Sequence, residues 1–143
     1  MKTCKQCGQT KQLDSFYKHK GRRDGRSSYC KECDRDNTRN WRRANPDRAR
    51  ALNLKHKYGI TADEYAAKLR EQGGVCGICG KTPEQNGKGL AVDHDHSCCP
   101  GDRSCGKCVR GLLCIACNRG IGYLQDSEEL LLAAVAYLRR EGK

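Results

Sequence analysis

A chain of 143 residues with a formal net charge of +11, 36% hydrophobic residues, one Trp, one Phe and twelve cysteines has too few apolar side chains for a self-sufficient core. Metal or disulfide crosslinks must supply much of the fold. No segment is apolar for long enough to span a membrane, and the polar start MKTCKQCGQTK does not resemble an export signal, so a reducing cytoplasm is the expected compartment. There, paired CxxC motifs are zinc ligands more often than disulfides.

The charge is unevenly placed. Residues 1–57 hold 17 Lys and Arg against 6 acids, whereas residues 58–143 hold 11 of each. Eight thiolates on two zinc ions would lower the total to about +7, still basic. Such a stripe suits a phosphate backbone, bound without reading sequence. The alternative is a solvated basic face that only aids solubility.

In chain order, residues 1–33 form a first zinc-binding unit. Cys4 and Cys7, then Cys30 and Cys33, are two CxxC pairs separated by twenty-two residues. Each pair offers the local bite that tetrahedral zinc requires. Phe16 and Tyr17 are expected to pack between them, and GRRDGRSS at 21–28 reads as a mobile polar loop.

Residues 34–58 read as a basic helical connector. A helical pattern from Lys31 through Arg43 breaks at Asn45-Pro46 and restarts, with proline at the first helical position, to about Tyr58. Ala49, Leu52 and Leu54 are too few to bury a helix face. These segments should lie on the surface and present Arg39, Arg42, Arg43, Arg48, Arg50, Lys55 and Lys57 to a nucleic acid, with Trp41 and Tyr58 interleaved.

Residues 59–143 form the second domain. Thr61 and Glu64 make a capping box, Tyr65 and Leu69 share a helix face, and Gly73 is a helix stop. Cys76 and Cys79 find partners thirty-four residues on, in Cys114 and Cys117. Between these pairs a short strand, Leu90 to Val92, should run into the polar turn Asp93-His94-Asp95-His96. A last helix, SEELLLAAVAYLRREG, is capped by Ser127 and carries the apolar stripe Leu130, Leu131, Ala134, Tyr137 and Leu138, either core or a dimer contact.

The second zinc already has four cysteines, which leaves both histidines of DHDH free. A hard cation such as magnesium wants oxygen ligands, which Asp93 and the amide of Asn118 offer. One imidazole then remains to act as general base. His19 and His56 sit in basic, exposed segments and receive no such role.

VDHDH, VRGLLC and CN, in this order and enclosed by two CxxC pairs, resemble the recombination endonuclease VII family of the HNH, or ββα-metal, nucleases. The resemblance covers about Tyr58 to Leu138; the N-terminal zinc ribbon or knuckle lies outside it. It implies a small, zinc-stabilised α+β fold with a ββα-metal core, and a DNA endonuclease dependent on Mg2+ or Mn2+. It also implies that Asp93 and Asn118 hold the catalytic metal and that His94 is the general base. His96 would touch substrate or metal, and Arg110 would lie near the phosphate. On this reading water would attack phosphorus without a covalent enzyme intermediate, leaving a 5′ phosphate and a 3′ hydroxyl. The family can place an acid three residues after the asparagine, where this chain has Ile121. The resemblance further implies branched DNA as substrate, a homodimer making paired cuts, and a phage or mobile element in a bacterial cytoplasm as origin. The competing readings are a site-preferring HNH enzyme on duplex DNA and a non-catalytic zinc module.

Cys98, Cys99, Cys105 and Cys108 are inserted between DHDH and VRG. They are read first as a third zinc site. Because adjacent cysteines make an awkward bite, three of them plus water or another side chain, or a disulfide, are the alternatives.

Overall fold

The computed structural model describes residues 1–140; Glu141 and Gly142, at the end of the expected last helix, and Lys143, the end of the expected second domain, lie outside them. The chain divides into two compact units, Met1–Ala49 and Arg50–Lys143.

In the first unit, β1 (Lys2–Thr3) pairs antiparallel with β2 (Thr10–Lys11), and β3 (Phe16–Lys18) with β4 (Arg26–Cys30). The first hairpin presents Cys4 and Cys7 on its turn, where the Gly8 N–H returns to the Cys4 carbonyl. The second hairpin runs into α1 (Lys31–Ala44), with Cys30 as its N-cap. Phe16 is fully buried against Cys4, Cys30 and Cys33, so the metal-ligand cluster and one phenyl ring are the core. Tyr17, expected to pack, is instead exposed, with the Lys31 ammonium 5.7 Å from its ring centroid. The segment expected as a loop at 21–28 becomes strand from Arg26, because pairing of Phe16 with Cys30 and of Lys18 with Arg26 satisfies its backbone.

The break at Asn45 is as the sequence suggests. Its backbone N–H and its side-chain amide both donate to the Trp41 carbonyl, and α2 (Pro46–Asn53) restarts at proline. Neither α1 nor α2 buries a residue. The expected second helix does not continue regularly to Tyr58. A π-helical turn, Leu54–Tyr58, follows and is closed by Gly59 at φ 68°. This widened turn drives Leu54 into the second core, contrary to the expectation that it stays on the surface.

The core of the second unit gathers Leu54, Ile60, Tyr65, Leu90, Val92, Leu112 and Leu113 around Cys76 and Cys114. The capping box forms: the Thr61 N–H donates to Glu64 Oε2 at 2.6 Å, and the Glu64 N–H to Thr61 Oγ1 at 3.1 Å, opening α3 (Ala62–Glu71). Tyr65, on the buried face of α3, donates its hydroxyl to the Leu90 carbonyl at 2.8 Å. Gly73 and Gly74, both left-handed, end the helix by returning to Arg70 and Leu69.

Two antiparallel strands carry the rest, β5 (Ala91–His94) and β6 (Val109–Leu113). β5 is longer than the Leu90–Val92 strand expected. Asp93 and His94, poor strand formers in isolation, are held extended by pairing with Gly111 and Val109. A two-stranded sheet leaves an edge, and Gln72 covers it. Its side chain accepts from the Leu112 N–H at 2.7 Å and donates to the Leu112 carbonyl at 2.8 Å, imitating a third strand. Gln72→Leu should leave the Leu112 N–H unpaired, while its carbonyl still accepts from the Gly77 N–H at 3.1 Å, and cost about 1–2 kcal/mol, measured by urea unfolding of the zinc-loaded protein. An unchanged midpoint would mean that Gln72 does not hold this edge.

α4 (Ile115–Tyr123) starts at Cys114, and α5 (Glu128–Leu138) at Ser127, whose hydroxyl accepts from the Leu130 N–H at 3.2 Å. The apolar stripe of α5 is not core. No α5 residue is buried, and Leu130, Leu132, Val135, Tyr137 and Leu138 are exposed. Among the described residues no helix is long and apolar enough to cross a membrane.

Candidate metal and active site

Three groups of four cysteines converge: Cys4, Cys7, Cys30 and Cys33; Cys76, Cys79, Cys114 and Cys117; and Cys98, Cys99, Cys105 and Cys108. Within each group the sulfurs lie within 4.8 Å of one another. With Zn–S near 2.3 Å, the edge of a tetrahedral S4 site is about 3.8 Å. Sulfur separations of 3.6 Å for Cys79 and Cys114, 3.8 Å for Cys105 and Cys108, and 4.0 Å for Cys98 and Cys99 match it. A disulfide would need about 2.05 Å, and all twelve thiols are free.

The electrostatics of the groups agree. Backbone N–H groups of Cys7 and Cys30 lower the Cys4 thiol to about 6. Burial raises Cys76, but the backbone N–H groups of Cys79 and Cys114 outweigh it and bring that thiol to about 6. Those of Cys108 and Lys107 lower Cys105 to about 6. Other sulfurs shift the opposite way: Cys33 and Cys117 are pushed up to about 12, first by burial, Cys98 to about 12, first by its neighbour Cys99, and Cys99 is raised as well. Four thiols this close cannot all ionise alone, and a dication removes the conflict. Zinc therefore fits all three groups on sulfur chemistry and spacing.

The third group is the most exposed of the three. Its loop is tied down by backbone bonds from Asp95 to the Cys108 carbonyl and from Ser104 to the Lys57 carbonyl, at 2.9 Å each. Gly106, at φ 86°, sits where a Cβ would lie 2.5 Å from the Gly59 carbonyl oxygen. Only glycine permits that approach.

The same loop walls a cleft of ≈ 550 Å³ lined by Tyr58, Asp93, His94, His96, Asp102 and Asn118, among others. Asp93 and His94 reach it from the end of β5, and both are buried. Asn118 reaches it from α4, one residue beyond a zinc-group cysteine, with its N–H donating to the Cys114 carbonyl at 2.9 Å. The residues singled out from DHDH and CN thus face one cleft. His94 Nε2 is buried with no hydrogen-bond partner among the described residues. Native proteins leave such atoms unpaired where they serve chemistry or an ion.

Arg110 pairs with the site carboxylate Asp93. Asp93 pairs with Gly111 and His94 with Val109, so Arg110 is the extra residue of a bulge in β6. Bulges re-aim side chains beside active sites. Here the guanidinium grips Asp93 with two bonds, Nε to Oδ2 at 2.7 Å and Nη2 to Oδ1 at 3.1 Å. Each carboxylate oxygen keeps a second lone pair, so oxygen ligation by Asp93 is compatible with this pair. Asp95 does not enter the cleft chemistry; it shapes the turn by accepting from the Ser97 N–H at 2.8 Å and the Ser97 hydroxyl at 2.6 Å.

Asp126 was not singled out from the sequence. It accepts from His96 Nδ1 at 2.7 Å and from Arg110 Nη2 at 3.1 Å, both on Oδ2. Burial raises its carboxyl, but the bonds from His96 and Arg110 outweigh this and hold it below the usual carboxylate range. The available signal was an acid, with no glycine beside it, in the short turn between two helices.

The basic side chains are distributed over both units. In the first, Arg39, Arg42 and Arg43 project from α1 with Tyr17 and Arg35 along a groove of ≈ 650 Å³. Arg48 is exposed on α2, and Lys55 on the π-helical turn. Arg50 is already engaged, its guanidinium 4.7 Å from the Tyr65 ring centroid. Lys57 lies on the cleft and pairs with Asp102 at 3.4 Å.

Comparison with known proteins agrees with this arrangement. The profile of the recombination endonuclease VII family matches residues 51–140. Gene 59 protein of Mycobacterium phage D29 is 45% identical over 84 residues, which cover 58% of this chain and 46% of that protein. The chain thus spans less than half the length of this relative. No solved structure matches it significantly. A match over most of the chain, centred on the zinc-clamped β5–β6–α4 cleft, places the chain in the recombination endonuclease VII family.

Proposed function

We propose that the chain is a divalent-metal-dependent DNA endonuclease that hydrolyses phosphodiester bonds. One observation carries this: the buried Asp93 and His94 at the end of β5 share a cleft with Asn118, which follows a zinc-group cysteine. His94 takes the proton from the attacking water. Asp93 and Asn118 hold magnesium or manganese through oxygen, a donor set that suits a hard cation completed by water and phosphate. The bound ion supplies neutralisation of charge on the phosphate. His96, on the cleft, faces the substrate, and Arg110 braces Asp93 from behind it.

Zinc at Cys4, Cys7, Cys30 and Cys33 and at Cys76, Cys79, Cys114 and Cys117 holds the frame. A third zinc at Cys98, Cys99, Cys105 and Cys108 stiffens the cleft wall. Elemental analysis should therefore return three zinc ions per chain, and two for the Cys98→Ser/Cys105→Ser double variant. Two in the wild type would refute the third site.

Arg39, Arg42, Arg43, Arg48, Lys55 and Lys57 contact DNA phosphates, so binding should weaken steeply with salt. Branched DNA is the favoured substrate, cut by a homodimer for which the exposed apolar face of α5 is available. Cleavage of a labelled four-way junction is to be compared with that of linear duplex in Mg2+, beside sedimentation at the same concentration. A monomer that cuts both equally excludes junction resolution and leaves the site-preferring duplex enzyme. Absence of any nick in supercoiled plasmid excludes the enzyme and leaves the zinc binding module.

A further inference from the structure

Ile121, on α4, packs against the core. After α4 the chain turns through Gln125 at φ 58° and Asp126 at φ 53°. This turn carries Asp126 back so that its N–H donates to the Ile121 carbonyl at 3.0 Å. Left-handed backbone disfavours side chains other than glycine and asparagine or aspartate. A turn needing only to end a helix is served best by glycine. Here both left-handed positions keep side chains, and the second places its carboxylate on two groups of the cleft region.

The contacts are specific. Asp126 Oδ2 accepts from His96 Nδ1 at 2.7 Å and from Arg110 Nη2 at 3.1 Å, while Arg110 also holds Asp93. An ionised carboxylate can only accept, so His96 carries its proton on Nδ1 when it makes this bond. That leaves Nε2 as the nitrogen free to meet substrate, on a ring that lines the cleft and is half exposed. The His96 ring also sits 4.6 Å, centroid to centroid, from that of His94, so its orientation constrains the neighbouring imidazole.

The geometry points to Asp126 as a positioning residue of the nuclease site, acting through His96 and Arg110. The role rests on the nuclease reading above. It orients His96 with Nε2 toward the DNA and fixes the Arg110 guanidinium that braces Asp93. Carboxylates that orient a functional histidine in this manner contribute about 10- to 100-fold to activity.

The test uses the full zinc-loaded chain and the variants Asp126→Gly, Asp126→Ala and Asp126→Glu. Glycine relieves the left-handed turn while removing the carboxylate, which separates the two roles of the residue. Expected for Asp126→Gly is a fall in kcat for plasmid nicking of about 10- to 100-fold, with a smaller change in KM for DNA. Zinc content and thermal midpoint should be no lower than in the wild type. Long-range 1H–15N spectra should show His96 protonated on Nδ1 in the wild type and shifted toward Nε2–H in Asp126→Gly and Asp126→Ala. Asp126→Glu should recover part of both signals. Nicking by Asp126→Gly at the wild-type rate, an unmoved His96 tautomer, or a loss of activity that follows loss of zinc would each overturn the role. If the wild type itself makes no nicks, the nuclease reading falls and this role with it. A nicking wild type beside an unaffected Asp126→Gly variant overturns the role alone.

Discussion

His94→Ala should reduce Mg2+-supported nicking by about 10²- to 10⁴-fold, the range by which a positioned general base accelerates proton transfer. The basis is geometric. His94 is 4% exposed at the end of β5, on the same cleft as Asp93 and Asn118, and its Nε2 is buried without a partner among the described residues. A histidine kept only for packing would be expected to satisfy that nitrogen, because an unmade buried hydrogen bond costs about 1–3 kcal/mol. The measurement is a single-turnover rate on supercoiled plasmid, with zinc content and thermal midpoint followed in parallel. Retention of the wild-type rate would remove His94 from the chemistry. Equal loss of zinc would show that the side chain had been holding the fold instead.

Cys114→Ser should unfold the second unit altogether. Structural zinc in small domains contributes on the order of 10–16 kcal/mol, which matches or exceeds the whole stability of an ordinary domain, about 5–15 kcal/mol. Cys114 is in addition a core residue, packed with the side chains that hold β5 and β6 together. Replacing its sulfur therefore removes a zinc ligand from the middle of the core that positions the cleft. Amide spectra should lose dispersion for the residues of the second unit. Amide signals of the first unit should persist, since Cys4, Cys7, Cys30 and Cys33 lie in it. A variant that keeps dispersed amides and nicks DNA would show that the second cysteine group is dispensable. Cys105→Ser should be milder, since its loop lies outside the core and is also held through Lys57 and Gly59.

Much of this architecture is local in sequence, and there it was readable. The CxxC spacers define pairs of thiolates; Thr61 and Glu64 define a helix start; Asn45-Pro46 defines a break. These features depend on residues no more than a few positions apart, so spacing alone determines their geometry. DHDH and CN could be assigned a common chemistry because the cysteine pairs around them imply that the chain closes on itself.

What the tertiary structure decided are contacts between residues far apart, for which a linear pattern has no period. Asp126 reaches His96, thirty positions away, only because two left-handed residues fold the chain back onto Ile121. Arg110 faces Asp93 rather than open cleft because β6 carries one residue more than its partner, a mismatch visible only once the strands pair. Leu54 is core because a π-helical turn rotates it inward, and the α5 stripe is exposed, with none of its residues joining the core around Cys76 and Cys114. The sequence by itself pointed to the groups expected to hold metal and to move a proton, because their chemistry and spacing are local. Long-range pairing decided that the Asp126 carboxylate meets His96 and Arg110 and that Arg110 meets Asp93, since hydrogen bonds at 2.7–3.1 Å require positions that only the folded backbone sets.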